Sequence, residues 1–124
     1  MNTLLVMIGG AVGAALRYQL GRLTFQLTGP GWPWGTFAAN VIGGLAMGLL
    51  VGAMARMNAG ENVRLLLGVG LLGGFTTFSS FSLEVVEMAQ RGALIGAAGY
   101  ALASVLVSVG ALFAGLLLVR GVAA

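Results

Sequence analysis

Ten residues in the third quarter of the chain concentrate its polar chemistry. Gly73-Gly74-Phe75-Thr76-Thr77-Phe78-Ser79-Ser80-Phe81-Ser82 sets five hydroxyls within seven residues, between phenylalanines and behind a glycine pair. Tyr100, Ser104 and Ser108 recur at i, i+4 and i+8, a single polar stripe on an otherwise apolar helix. Asn40 adds one amide, behind Gly35-Thr36-Phe37-Ala38-Ala39. Hydroxyl and amide hydrogens are the donors that a small anion stripped of water requires. Each group alone also serves as interhelical glue in a membrane. Their combination favours a track.

Other chemistries are excluded by what is missing. Cysteine, histidine, aspartate and lysine are absent, and the charged residues are Arg17, Arg22, Arg56, Arg64, Arg91, Arg120, Glu61, Glu84 and Glu87. Disulfides, thiolate metal sites and histidine bases are therefore impossible. No nucleophile–base pair can be assembled, so the reading is that this is not an enzyme. The net charge of +3 comes from arginines scattered singly, without the basic run that nucleic acid would call for.

These groups need elements to hold them, and composition says which. The 124 residues are 59% hydrophobic and only 7% charged, with mean hydropathy +1.03, whereas soluble domains carry about 25% charged residues. Lipid is the remaining solvent. A spanning helix takes roughly 20 apolar residues, so the expectation is an all-α integral membrane protein, one domain of four transmembrane helices near 3–27, 34–55, 63–88 and 93–119. The apolar start, Met1–Ala15, lacks a positive leader and reads as the first span and not as a cleaved signal. Thr28-Gly29-Pro30-Gly31 is a turn. Pro33 suits a helix start, and Trp32 and Trp34 suit interface anchors.

Two further expectations concern packing and continuity. Gly9/Gly13, Gly44/Gly48/Gly52, Gly70/Gly74 and Gly92/Gly96 recur at i, i+4, the spacing that lets helix backbones approach in lipid. The hydroxyl-rich block has poor helix propensity and falls near membrane depth. The third helix is expected to break there, since irregular backbone at that depth survives only where protein buries it or it lines a wet cavity.

Topology is balanced. Arg56, Arg64 and Arg120 fall on the side of the termini and Arg17, Arg22 and Arg91 on the other, so the positive-inside rule gives no preference. Such a chain can insert both ways and pair as an antiparallel dimer.

Three stretches, Gly9-Gly10-Ala11-Val12-Gly13-Ala14-Ala15-Leu16-Arg17-Tyr18, Gly35-Thr36-Phe37-Ala38-Ala39-Asn40-Val41-Ile42-Gly43 and the block from Gly73 to Ser82, resemble the signature blocks of the CrcB/Fluc fluoride channel family. The resemblance covers the whole chain in length, span number and block spacing, with Ser80 standing where the family usually has threonine. It implies a passive fluoride channel of the bacterial inner membrane, built as a dual-topology antiparallel homodimer, that exports toxic fluoride trapped in the cytoplasm. It further implies that Phe78 and Phe81 line the pathway together with Asn40, Ser104 and Ser108, with Thr77, Ser79 and Tyr100 as neighbours. Arg17 and Glu84 match charged positions near pore mouths, and Gly73 and Thr76 match positions whose backbone carbonyls hold a structural sodium ion at the dimer axis.

Two rival readings are open to the residues. A proton-coupled multidrug antiporter of the small dual-topology kind needs a carboxylate in its first span, and this first span has none. A non-transporting assembly subunit would need only the glycine stripes and leaves the hydroxyl–phenylalanine block unexplained.

Overall fold

The computed structural model describes residues 1–58 and 60–123. Four apolar stretches are long enough to cross a membrane: Asn2–Thr28, Trp34–Met57, Glu61–Gln90 and Leu94–Gly121. At 24 to 30 residues and about 1.5 Å per residue, they reach about 36 to 45 Å, which exceeds the roughly 30 Å hydrocarbon core.

Helix α1 (Asn2–Thr28) is continuous, so the polar tail from Tyr18 onward does supply its last turns. It stops at Gly29, which takes φ +73° and returns its N–H to the Phe25 carbonyl at 2.7 Å. Helix α2 (Trp34–Met57) follows Pro33, which sits one residue outside the helix, and ends on Asn58 in the left-handed conformation. The helix thus runs past Ala55 and takes in Arg56. The third span is composite: α3 (Glu61–Val63), a π-helical segment (Arg64–Leu72) and α4 (Gly73–Phe75), an interruption, then α5 (Ser79–Gln90). A short turn leads to α6 (Leu94–Ala123).

The π segment was not anticipated. It widens the helix where glycines let α1 come close. A Cβ on Gly9 would collide with the Leu66 carbonyl, and one on Gly13 with that of Leu71, reaching 2.8 Å from the Phe75 nitrogen. The second close pairing is α2 on α6. A Cβ on Gly44 would lie 2.6 Å from the Ser108 carbonyl, one on Gly48 would strike that of Leu112, and one on Gly115 would come within 2.6 Å of that of Leu45. In lipid, where apolar burial gives helices no mutual attraction, this backbone proximity is what holds them.

One expected stripe is corrected. Gly92 lies in the turn with φ +87° and open space around it, and Gly96 meets only the tips of Met88 and Ala93. The i, i+4 pair fails because the helix begins after Gly92, at Leu94.

The compact apolar cluster sits between α5 and α6: Phe81, Met88, Ala97 and Tyr100, with Trp32 and Phe37 against it. Trp32 meets Tyr100 edge-on at 5.3 Å and 86°, so besides suiting an interface it covers the buried tyrosine.

Candidate functional site

The interruption is built by side chains that take over backbone hydrogen bonds. Thr76 closes α4 through its N–H and its Oγ1, both donating to the Leu72 carbonyl at 3.0 Å, and then turns extended, with ψ 160°. In an unbroken helix the N–H of Thr77 would bond the Gly73 carbonyl. Instead it donates to Asn40 Oδ1 at 2.7 Å, while Asn40 Nδ2 donates to the Thr77 carbonyl at 3.0 Å. The N–H of Ser80, which would bond the Thr76 carbonyl, donates to Thr77 Oγ1 at 3.1 Å. Arg17 reaches across from α1, and its Nε donates to the Gly74 carbonyl at 3.3 Å. The Thr77 hydroxyl also lies 3.3 Å from Ser79 Oγ, and α5 restarts behind Phe78, whose carbonyl accepts from the N–H of Ser82 at 2.8 Å.

Beside the interruption lies a groove of about 390 Å³. Its walls include Asn40 and Gly44 of α2, Thr76, Thr77, Phe78 and Phe81 of the third span, and Ser104 and Ser108 of α6. Apolar Met47, Val105, Val109 and Leu112 complete it. Ser104 and Ser108 give it polarity in an unusual form. Their Oγ atoms are buried, and among the described residues neither has a hydrogen-bond partner. A helical serine can bond its own i−4 carbonyl, and these two do not. Leaving a buried hydroxyl unsatisfied costs about 1–3 kcal/mol, and the cost falls on two residues of one stripe that line the groove.

Of the residues singled out in the sequence, seven come together on this wall: Asn40, Thr76, Thr77, Phe78, Phe81, Ser104 and Ser108. Ser79 and Tyr100 stand apart from it. Ser79 lies on the exposed side of the restart beside Thr77. Tyr100 is fully buried beneath Phe81, its ring 5.4 Å away.

The hydroxyl of Tyr100 donates to Glu84 Oε1 at 2.9 Å, and Thr36 Oγ1 donates to Glu84 Oε2 at 2.8 Å. Glu84 therefore faces α2 and α6. The ion pair found among the described residues joins Arg64 and Glu61. Arg17 lines a hollow of about 470 Å³ with Arg22, Gln26 and Thr36. Glu84 lines one of about 230 Å³ under the Thr28–Trp34 loop. The two hollows share Gly21, Phe25, Gly35 and Thr36. Thr36 escaped the sequence reading as a functional residue. Its one available signal was its place a helical turn before Asn40 on the same face of α2.

The chain that forms this groove beside an interrupted helix also carries a sequence signature. The model of the family described as CrcB-like protein, Camphor Resistance (CrcB), matches residues 4–116. The chain belongs to the CrcB family. Among its curated relatives, a Novosphingobium aromaticivorans protein named fluoride-specific ion channel FluC is 55% identical over 123 residues, covering 98% of each chain. A protein of the same name from Phenylobacterium zucineum is 60% identical over 121 residues, and one from Mesorhizobium japonicum is 48% identical over 119. The relatives are bacterial, and with its four spans this CrcB chain is a multi-pass protein of a bacterial membrane.

Proposed function

We propose that this chain is a passive fluoride channel that lets fluoride leave the cell and so limits its toxicity. The observation that carries the proposal is the groove. It is lined by two serines whose buried hydroxyls have no partner among the described residues, by Asn40 and by Phe78 and Phe81, in a chain whose relatives are named fluoride-specific ion channels. Fluoride is small and strongly hydrated, so a pore must replace its water with donors. Hydroxyls do so without a fixed charge, and phenylalanine presents the positive rim of its quadrupole. Neither binds so deeply that the ion stays, which is the condition for conduction. The chain is a channel and not an enzyme, as its relatives are named. The antiporter reading loses its support because α1 offers no carboxylate.

The reading extends to an antiparallel homodimer. A single protomer leaves the groove open on one flank, with Phe78 78% exposed, and a second copy is the partner that would wall it in. The equal arginine counts on the two sides remove the bias that would forbid opposite insertion.

The reading also includes a structural sodium ion on the carbonyls of Gly73 and Thr76. The donor set fits: the N–H groups that a continuous helix would aim at these two carbonyls are diverted to Asn40 and Thr77 Oγ1. Oxygen-only ligation suits a hard monovalent or divalent cation. When bound, the ion would supply a fixed positive charge beside the interruption, while Arg17 and Asn40 hold the surrounding backbone.

The test is efflux from liposomes holding the purified protein, followed with a fluoride-selective electrode. Selective fluoride release supports the reading, and protein-dependent release of chloride at a similar rate rejects it.

A further inference from the structure

We propose that Asn40 is a positioning residue. Its amide holds the Thr77 backbone at the interruption of the third span and thereby sets where the next residue, Phe78, stands. The proposal rests on the channel reading only for the functional consequence.

The pairing is reciprocal, and that identifies it. Thr77 can offer only an N–H donor and a carbonyl acceptor, so the amide must turn Oδ1 to the first, at 2.7 Å, and Nδ2 to the second, at 3.0 Å. The usual ambiguity between the oxygen and nitrogen of an amide does not arise. Asparagine alone among side chains of this length carries both a donor and an acceptor in that spacing. Aspartate would keep the acceptor and place a second oxygen against the Thr77 carbonyl.

The clamp answers a specific need. Interrupting a helix at membrane depth strands backbone groups that lipid cannot satisfy, and each buried orphan is costly. Asn40 satisfies both backbone groups of Thr77, the middle residue of the interruption.

The rest of α2 is shaped to the same end. Thr36, Asn40 and Gly43 stand at i, i+4 and i+7 on one face. Thr36 holds Glu84 of α5, Asn40 holds Thr77, and a Cβ on Gly43 would collide with Thr76 Cγ2. One helix face therefore fixes both sides of the interruption. An amide nitrogen carries two hydrogens, and the clamp uses one, so the other remains for the groove that Asn40 also lines. Holding the backbone is thus separate from touching an ion.

The experiment reads the Thr77 amide itself. Hydrogen exchange at Thr77, in detergent or nanodiscs, should be protected in the unmodified protein and accelerate about tenfold or more in Asn40→Ala. In parallel, the Thr77 N–H is replaced by an ester oxygen, which leaves every side chain in place and stands in should Asn40→Ala fail to fold. The ester should lower fluoride efflux, and adding it to Asn40→Ala should cause little further loss, because Asn40→Ala already removes the bond that the ester deletes. Unchanged exchange at Thr77 in folded Asn40→Ala overturns the clamp. So does full efflux through the ester variant. If the unmodified protein carries no fluoride at all, the channel reading fails, while the exchange result still decides the clamp.

Discussion

The rings of Phe78 and Phe81 lie 5.7 Å apart, tilted by 45°, yet one is 78% exposed and the other only 9%. They stand three residues apart across the restart of α5, so one edge is anchored in the α5–α6 cluster and the other projects from the protomer. This asymmetry separates packing from conduction. Phe81→Ile should cost up to about 1.5 kcal/mol of stability, as volume-conserving swaps do, while Phe78→Ile should cost the isolated protomer almost nothing. Both should lose most fluoride efflux, since each removes a polarised ring edge and each 1.4 kcal/mol of added barrier slows passage about tenfold. Thermal unfolding and liposome efflux measured on the same preparations check the pair. Full efflux from both folded variants moves the path away from these rings.

Ser104 and Ser108 offer a prediction of unusual sign. Their buried hydroxyls have no partner among the described residues, so Ser104→Ala and Ser108→Ala should leave the fold equally stable or up to about 1 kcal/mol more stable. Efflux should nevertheless fall about tenfold or more, because a hydrogen bond to a charged ion is worth about 1.5–3 kcal/mol. Denaturation midpoints that drop on removing either hydroxyl would mean that it was holding the bundle together.

Glycine contacts divide α6 and its neighbours into two classes. Gly48→Ala drives a methyl into the Leu112 carbonyl, and Gly44→Ala comes within 2.6 Å of that of Ser108, so both should part α2 from α6 and yield little folded protein. Gly99→Ala meets nothing within 4 Å and should be neutral or stabilise its helix by up to about 1 kcal/mol. Size-exclusion profiles of the three variants give the comparison.

These outcomes show how far the sequence could be read. Four spans and the place of the interruption were legible because apolar length and the Gly-Gly-Phe-Thr-Thr run act locally. The widening between Arg64 and Leu72 was not, since no residue type encodes it and Leu, Val and Gly there also suit an ordinary helix. The partners of the polar groups were equally hidden. Asn40 meets Thr77 across 37 positions and Thr36 meets Glu84 across 48, distances over which spacing carries no information. The contact between Glu84 of α5 and Tyr100 of α6 was hidden in the same way. Tertiary packing turns them toward each other.

Dual insertion has its own test. Met57, at the end of α2, is 74% exposed, so Met57→Cys offers a thiol in a chain that otherwise has none. A membrane-impermeant maleimide applied to intact cells should label about half of the population, and permeabilisation should label the remainder. Labelling confined to one side excludes the antiparallel dimer.

The central claim is that the groove passes fluoride and excludes larger halides, and ion efflux from proteoliposomes measures it most directly. Vesicles loaded with equal potassium fluoride and potassium chloride, and opened to potassium by an ionophore, should release fluoride at a rate proportional to protein while chloride stays inside. Retained fluoride, or chloride leaving alongside it, would contradict the account.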